Sequence, residues 1–482
     1  MNEHATAFKP SLRLFDATMI VAGSMIGSGI FIVSTDIVRN VGSAGWLIVV
    51  WIITGLMTVM AAVSYGEMSG MFPKAGGQYV FLKEAFNPLA GFLYGWSSFT
   101  VIQTATIAAV AVAFSRFTAY LIPELGENVF LVTIGSLHIS AAQVLAIALI
   151  IFLTYTNTKG IKGGKIIQTT FTTIKLLSLF GLIILGFLLV KHSFWQENWQ
   201  TGLQAMQLEK ANGKFVEHGN WLPISGTVLI GAIAASMVGS LFSSDAWNNV
   251  TFIAAEIKNP KRNIGLSLFL GTLIVSAIYI TTNLMYLNVL SLDQIAFPAG
   301  DRVAVAASNE IFGPNGAIVI AVMIMISTFG CNNGLILAGA RVYYTMAQDK
   351  LFFKQAARLN KNAVPQWALW AQAVVASLLC LSGGYNDLLD MIAFVVVLFY
   401  VLTIIGIFVL RKKRPDAERP YKAFAYPFLP ALYIILGTSF CIFLLIFKPA
   451  YTMWGLGIVL AGIPVYYITI AGNKRNATNI KS

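Results

Sequence analysis

The chain has 482 residues, 57% of them apolar and only 11% charged, with a net charge of +12 and a mean hydropathy of +0.74. A water-soluble chain carries about 25% charged residues, so a soluble multidomain enzyme is excluded, and twelve membrane spans of about 21 residues are easily filled from this composition. The positive charge is not a nucleic-acid signal, because the basic residues are strung between apolar stretches and not gathered on one face.

Windows of about 19 residues place spans near 15–38, 46–71, 89–122, 140–155, 166–190, 222–254, 264–290, 313–347, 366–382, 386–410, 428–447 and 451–471. The polar stretch ahead of the first span lacks the basic-then-apolar pattern of a cleaved signal, so the first span itself is expected to direct insertion. The loop clusters Lys159/Lys162/Lys165, Lys258/Lys261/Arg262, Lys350/Lys354/Arg358/Lys361 and Arg411-Lys412-Lys413-Arg414 then fall on one side of the bilayer. The positive-inside rule makes that side cytoplasmic, together with both termini. A multi-pass protein of the plasma (inner) membrane is expected.

Span 1 holds Gly23-Ser24-Met25-Ile26-Gly27-Ser28-Gly29, and each glycine costs a helix about 1 kcal/mol against alanine. Span 6 holds a polar knot of Ser240, Ser243, Ser244, Asp245, Asn248 and Asn249. A charge at mid-span costs at least about 2.5 kcal/mol if it faces lipid, so Asp245 must face protein or a cavity. Both spans are therefore read as broken helices. The long spans 3 and 8, beginning at 89 and 313, repeat at nearly the same interval as the two breaks. Five spans is an odd number, so the second copy lies upside down relative to the first, which is the sequence mark of a secondary transporter. The expected organisation is an N-terminus and first repeat over 1–190, an outside loop at 191–221, a second repeat over 222–410, and two further helices with the C-terminal tail over 411–482.

A broken helix inside a bilayer leaves N–H and C=O groups that must find partners there. A half-helix N-terminus suits a carboxylate and an adjacent half-helix C-terminus suits an ammonium. Together they match the zwitterionic head of an α-amino acid. The candidate binding residues are Met25, Ile26, Gly27, Ser28 and Gly29 on span 1, with Phe242, Ser243, Asp245 and Asn248 on span 6. The carboxylate is assigned to the Ser28 and Gly29 amides, and the ammonium to carbonyls near Met25, Phe242 and Ser243. The plainer alternative is that Gly23, Gly27 and Gly29 form a close helix-packing face.

The segment Gly23 to Gly29, continued by Ile30-Phe31, resembles the first-helix signature of the amino acid–polyamine–organocation superfamily. Tyr65-Gly66-Glu67-Met68 and Phe72-Pro73-Lys74-Ala75-Gly76-Gly77-Gln78-Tyr79 resemble its second signature. Leu241-Phe242-Ser243-Ser244-Asp245-Ala246-Trp247-Asn248, with Glu256-Ile257-Lys258-Asn259-Pro260 beyond it, is similar to the L-type amino acid transporter branch. The resemblance implies an all-α polytopic membrane protein of about 12 transmembrane helices, a LeuT-like 5+5 inverted repeat with helices 1 and 6 broken. It also implies sodium-independent amino acid transport. Two positions depart from the branch, which usually has an aromatic residue where this chain has Ser244 and glycine where it has Ala246; both departures bear on the shape of the side-chain pocket. Relatives bond a glycoprotein subunit through a cysteine between helices 3 and 4; the loop near 123–139 has none, so no disulfide-linked heavy subunit is expected.

Lys175 lies about 15 Å inside span 5, counted along a helix from Lys165. By resemblance it takes the place of a sodium ion and links helix 1 to helix 8; otherwise it snorkels to the interface. Asp245 either binds a cationic side chain or caps the second half of helix 6. Asn248 either lines the pocket or makes an interhelical hydrogen bond. Glu67 either pairs with a basic residue or carries protons. Cys331, Cys380 and Cys441 are far apart, and His4, His138, His192 and His218 fall in tails or loops, so no metal, cofactor or nucleophile–base constellation is expected. The leading function is an L-amino acid exchanger leaning to neutral substrates. Its rivals are a proton-coupled symporter, a cationic amino acid carrier and a non-transporting sensor.

Overall fold

The computed structural model describes residues 10–134, 137–211, 214–382 and 385–479. A helix stands at each of the twelve expected spans. Helix 1 is in two pieces, 1a (Leu14–Met25) and 1b (Ser34–Val41), joined through a 3-10 turn at Gly29–Phe31. Helices 2 (Ala44–Met71), 3 (Pro88–Leu121), 4 (Ala141–Thr158) and 5 (Ile161–Leu189) follow. Helix 6 divides into 6a (Gly226–Ser243) and 6b, a single turn at Asn249–Phe252. Helices 7 (Pro260–Val289), 8 (Pro314–Gln348), 9 (Gln366–Ser382), 10 (Tyr385–Lys413), 11 (Phe428–Phe447) and 12 (Pro449–Asn479) complete the bundle.

Among the described residues ten helices are long and apolar enough to cross a membrane by length and composition. Helix 1 falls outside that set because its first piece stops at 12 residues, and helix 9 because it has only 17. The chain is an all-α polytopic membrane protein. The strands present are short two-stranded ribbons in loops, such as Met206–Leu208 with Trp221–Pro223.

Local chemistry sets the helix starts. Asn87 Oδ1 accepts from the Ala90 amide at 2.9 Å with Pro88 in the first turn, and Ser140 with Gln143 forms a capping box at helix 4. Gly42, at φ +52°, makes the tight corner between 1b and helix 2.

Helix 2 packs along helix 7, helix 3 along helix 8, and 1b against 6a. Each pair joins elements five helices apart in sequence. Buried polar side chains cross between helices: Ser34 to Asn283 at 2.6 Å, Thr54 to Ser240 at 2.7 Å and Asn157 to Asn333 at 2.8 Å. Such bonds in a bilayer contribute about 0.6 kcal/mol each on average, so they align the helices more than they hold them. Helices 11 and 12 lie against helix 10, helix 11 also against 2 and 6a, and helix 12 against the start of helix 3. Helix 10 runs to Lys413, a little past the expected boundary at 410.

The segment after helix 5 is more than a polar loop. Gly202 O accepts from the Gly45 amide at 3.0 Å, and Leu203 O accepts from Trp46 Nε1 at 2.9 Å. Asn198 Nδ2 donates to Leu287 O and Leu290 O at 2.7 and 2.8 Å. It ties the start of helix 2 to the end of helix 7.

Candidate functional site

The break in helix 1 can be followed carbonyl by carbonyl. In an unbroken helix the Gly23, Ser24, Met25 and Ile26 carbonyls would accept from the amides four residues on. Here the Gly27 amide turns back to Met25 O at 2.8 Å, and side chains from three other helices take the freed acceptors. Lys175 Nζ, on helix 5, donates to Gly23 O at 2.5 Å and to Ile26 O at 2.8 Å. Cys331 Sγ, on helix 8, meets Ser24 O at 3.3 Å, and Ser327 Oγ meets Ile26 O at 3.4 Å. Tyr279, on helix 7, places its hydroxyl 3.0 Å from Met25 O. A cation at a helix C-terminus is favoured by the helix dipole, and the buried acceptors are satisfied.

Lys175 is 1% exposed, so it does not snorkel. Its partners are helix 1 carbonyls and not the neighbouring Thr172 and Thr173 hydroxyls, and its bonds do not reach helix 8 directly. Ser327 and Cys331 make that link, to the adjacent carbonyls.

The same Tyr279 hydroxyl lies 3.0 Å from Ser243 O, so one side chain bridges the two breaks. Gly29 packs against Ser243 so closely that a Cβ there would sit 1.9 Å from Ser243 Oγ, and a Cβ on Gly27 would meet Cys331 Sγ at 3.3 Å. The close-packing reading fits Gly29, which lets helix 1 approach Ser243 where it is unwound, and Gly27 leaves room for the Cys331 side chain. Among the described residues no acceptor meets the Gly29 and Ile30 amides, which open the 3-10 turn leading into helix 1b. Met25, through Tyr279, and Gly29 thus meet Ser243 across the breaks.

Asp245 and Asn248 lie beyond that contact. The second half of helix 6 starts only at Asn249, with Asn248 as its N-cap, so Asp245 is not the cap that its position suggested. Its carboxylate accepts instead from the Tyr400 hydroxyl of helix 10. Tyr65, Trp247 and Tyr400 form a mutually packed aromatic group around it, with ring centroids 4.8–5.6 Å apart. Among the described residues no basic side chain pairs with Asp245. Asn248 Nδ2 donates to Gln78 Oε1 at 3.0 Å, and Gln78 Nε2 donates to Thr403 Oγ1 at 3.0 Å, a relay from helix 6 to helix 10. Ala246 sits at φ +63°, a left-handed conformation that costs a side-chain-bearing residue energy and that glycine adopts freely.

The two faces of the bundle differ. On one, a recess of about 650 Å³ opens between 1b, 6a, helix 10 and the adjoining loops, and reaches Gly239, one turn before Ser243. It is edged by the ion pairs Arg39–Asp301 at 2.8 Å and Lys448–Asp390 at 2.7 Å. The other face carries the basic loops and is shut. Glu67 is held by Arg411 (2.9 and 2.7 Å), Arg419 (3.3 Å) and the Ala423 amide (2.8 Å), which is the pairing reading of that residue. The buried Arg341 meets Glu256 at 3.3 Å, and the Ser11 and Leu12 amides donate to Glu256 O. Between the faces, the two cavities beside Asp245 are about 20 Å³ each, room for one water molecule. All three cysteines are buried and unbridged.

Tyr279, Tyr400, Gln78, Ser327 and Cys331 were not singled out from the sequence. A tyrosine in an apolar run reads equally well as an interfacial anchor, so nothing local marked them. Gln78 alone stood inside a quoted motif.

The model of one protein family, described as amino acid permease, matches residues 12–471. The chain is 29% identical over 467 residues to the large neutral amino acids transporter small subunit 2 of Homo sapiens, covering 96% of this chain and 81% of that protein. It is 26% identical over 471 residues to the Homo sapiens b(0,+)-type amino acid transporter 1, covering 96% and 89%. It is 27% identical over 465 residues to the Mus musculus Asc-type amino acid transporter 1, covering 96% and 82%.

Proposed function

Because the chain belongs to the amino acid permease family, in the L-type branch of the amino acid–polyamine–organocation superfamily, we propose that it is a sodium-independent secondary transporter of L-amino acids. It works by alternating access, as an exchanger that favours neutral substrates. The observation that carries this reading is the pair of opposed helix breaks. Amides without a protein acceptor at Gly29 and Ile30, next to Ser28, offer a place for a carboxylate. The carbonyls of Met25, Phe242 and Ser243 offer remaining lone pairs to an ammonium. Ile26 and Gly27 shape the turn between them, and Asp245 and Asn248 stand toward the side chain.

Lys175 supplies as a fixed ammonium the positive charge that a sodium ion would bring to the helix 1 carbonyls, which supports sodium independence. The recess on one face and the ionic closure on the other support alternating access. The pairing of helices 2 with 7 and 3 with 8 supports repeats over 1–190 and 222–410, with 191–221 as the connecting outer segment and 411–482 outside the repeats. The basic loops support an orientation with the closed face and both termini toward the cytoplasm of a plasma (inner) membrane protein. The absence of a cysteine in the 123–139 loop supports transport without a disulfide-linked heavy subunit. A second reading, a cationic amino acid carrier, draws on the buried Asp245 carboxylate, whose observed partner is a tyrosine.

The test is recognition of the head group. Purified protein in liposomes should take up a labelled neutral amino acid, and the free amino acid in excess should block that uptake. Its methyl ester and its N-acetyl derivative should each block at least about tenfold more weakly, one charge-assisted contact being lost in each. Equal inhibition by all three would remove the breaks from substrate binding.

A further inference from the structure

Helix 3 is not a regular helix where it passes the site. Residues Ser98–Ile102 form a π turn, which inserts an extra residue and re-aims the side chains that follow. Gln103 and Thr106, directly after it, line one of the two small cavities, together with Gln78, Asp245, Asn248 and Asn249. The polar part of the wall comes from helix 3, the helix 6 region and Gln78, and Ile102, Phe252, Leu335 and Val396 are among its apolar part.

Most of these polar groups are already engaged. Gln103 Nε2 donates to Leu335 O at 2.7 Å, Thr106 Oγ1 to Ile102 O at 2.6 Å, and Asn248 Nδ2 to Gln78 Oε1 at 3.0 Å. Asn249 is the exception. It is 3% exposed, and its Nδ2 has no hydrogen-bond partner among the described residues. A buried amide donor left unmade is costly, and an acceptor atom arriving in the cavity would remove that cost. The space of about 20 Å³ admits a hydroxyl or a similarly small polar end, and not a branched aliphatic or aromatic group without repacking.

We propose that this cavity is the side-chain subsite and that it selects neutral L-amino acids with a short hydrogen-bonding side chain, of the serine, threonine and asparagine class. The proposal rests on the transport reading above and names its substrate class. Asn249 is the specificity residue, donating to the substrate oxygen, and Gln103 fixes the helix 3 wall. Threonine and valine are nearly equal in size, so they isolate the hydroxyl. A site that hydrogen-bonds a substrate group rejects the analogue lacking it far more strongly than an apolar pocket separates two sizes.

The experiment measures kcat/KM for labelled alanine, threonine, valine, leucine and arginine with the wild-type protein in liposomes. Threonine should exceed valine and arginine by at least about tenfold. In Asn249→Leu the threonine-to-valine ratio should fall toward one, and Gln103→Leu should lower it as well. Valine equal to threonine in the wild type, or arginine above threonine, overturns the subsite while leaving transport standing. An unchanged ratio in both variants overturns the role of Asn249. The wild-type ratio decides by itself if a variant does not fold, and uptake of none of the five refutes the transport reading together with the subsite.

Discussion

Replacing Lys175 tests how the broken helix is held. Its ammonium closes two of the four carbonyls at the end of helix 1a. Ile26 O keeps only the longer contact from Ser327 Oγ at 3.4 Å, and Gly23 O loses its partner. Hydrogen bonds to a charged group are worth about 1.5–3 kcal/mol each, so the gross loss is about 3–6 kcal/mol. Removing the charge also recovers part of its desolvation cost, which leaves a net penalty of about 2–4 kcal/mol on this arrangement of helix 1. If that penalty falls on one access state, a rate governed by its population drops about 30-fold or more. Lys175→Met keeps most of the length of the side chain and removes the charge, and Lys175→Ala removes both. The assay is the initial rate of exchange per reconstituted molecule, measured in sodium and in choline salts. Both variants should be slow in choline. The vacated oxygens of Gly23, Ile26 and Ser327 form a donor set suited to a hard cation, so sodium should restore part of the rate in Lys175→Ala. Rates within twofold of wild type in both variants would refute the reasoning.

The glycine at the contact between the breaks should be equally sensitive. Gly29→Val puts its Cβ 1.9 Å from Ser243 Oγ and adds two methyl groups, so uptake should be lost while surface labelling shows protein still in the membrane; transport at wild-type affinity would contradict the contact. Ala246→Gly should relieve the left-handed strain at φ +63° by about 1 kcal/mol, read as a higher midpoint of thermal unfolding in detergent, and a lower midpoint would count against it. Asp245→Asn retains an oxygen that can accept from Tyr400, so the ranking of neutral substrates should persist. Excess arginine should compete poorly in the wild type; strong competition, weakened about tenfold or more in the Asn variant, would favour the cationic carrier.

The twelve helices were legible because a bilayer demands long apolar runs, and the two breaks because Gly23–Gly29 and the polar knot at 240–249 are expensive in such runs. The depth of Lys175 followed from counting along helix 5. What it touches did not, since the acceptors at Gly23 and Ile26 lie 152 and 149 residues away in sequence. Asp245 was open to a capping reading because aspartate is favoured at helix starts. The chain stays unwound for three residues longer, and a tyrosine 155 residues further on claims the carboxylate. Tyr279 was invisible for a related reason. Its hydroxyl joins carbonyls from two breaks, and backbone acceptors leave no trace in composition. The polar segment over 191–221 carried no motif, and its contacts to Gly45, Trp46 and Leu287 are made largely by backbone atoms.

Counterflow tests the central claim most directly. Liposomes containing the purified protein are loaded with unlabelled threonine or left empty, in sodium-free buffer, and labelled threonine is added outside. The account predicts uptake at least about tenfold faster into loaded than into empty vesicles, with no gain when sodium replaces choline. Equal uptake into loaded and empty vesicles, or uptake that requires sodium, would contradict it.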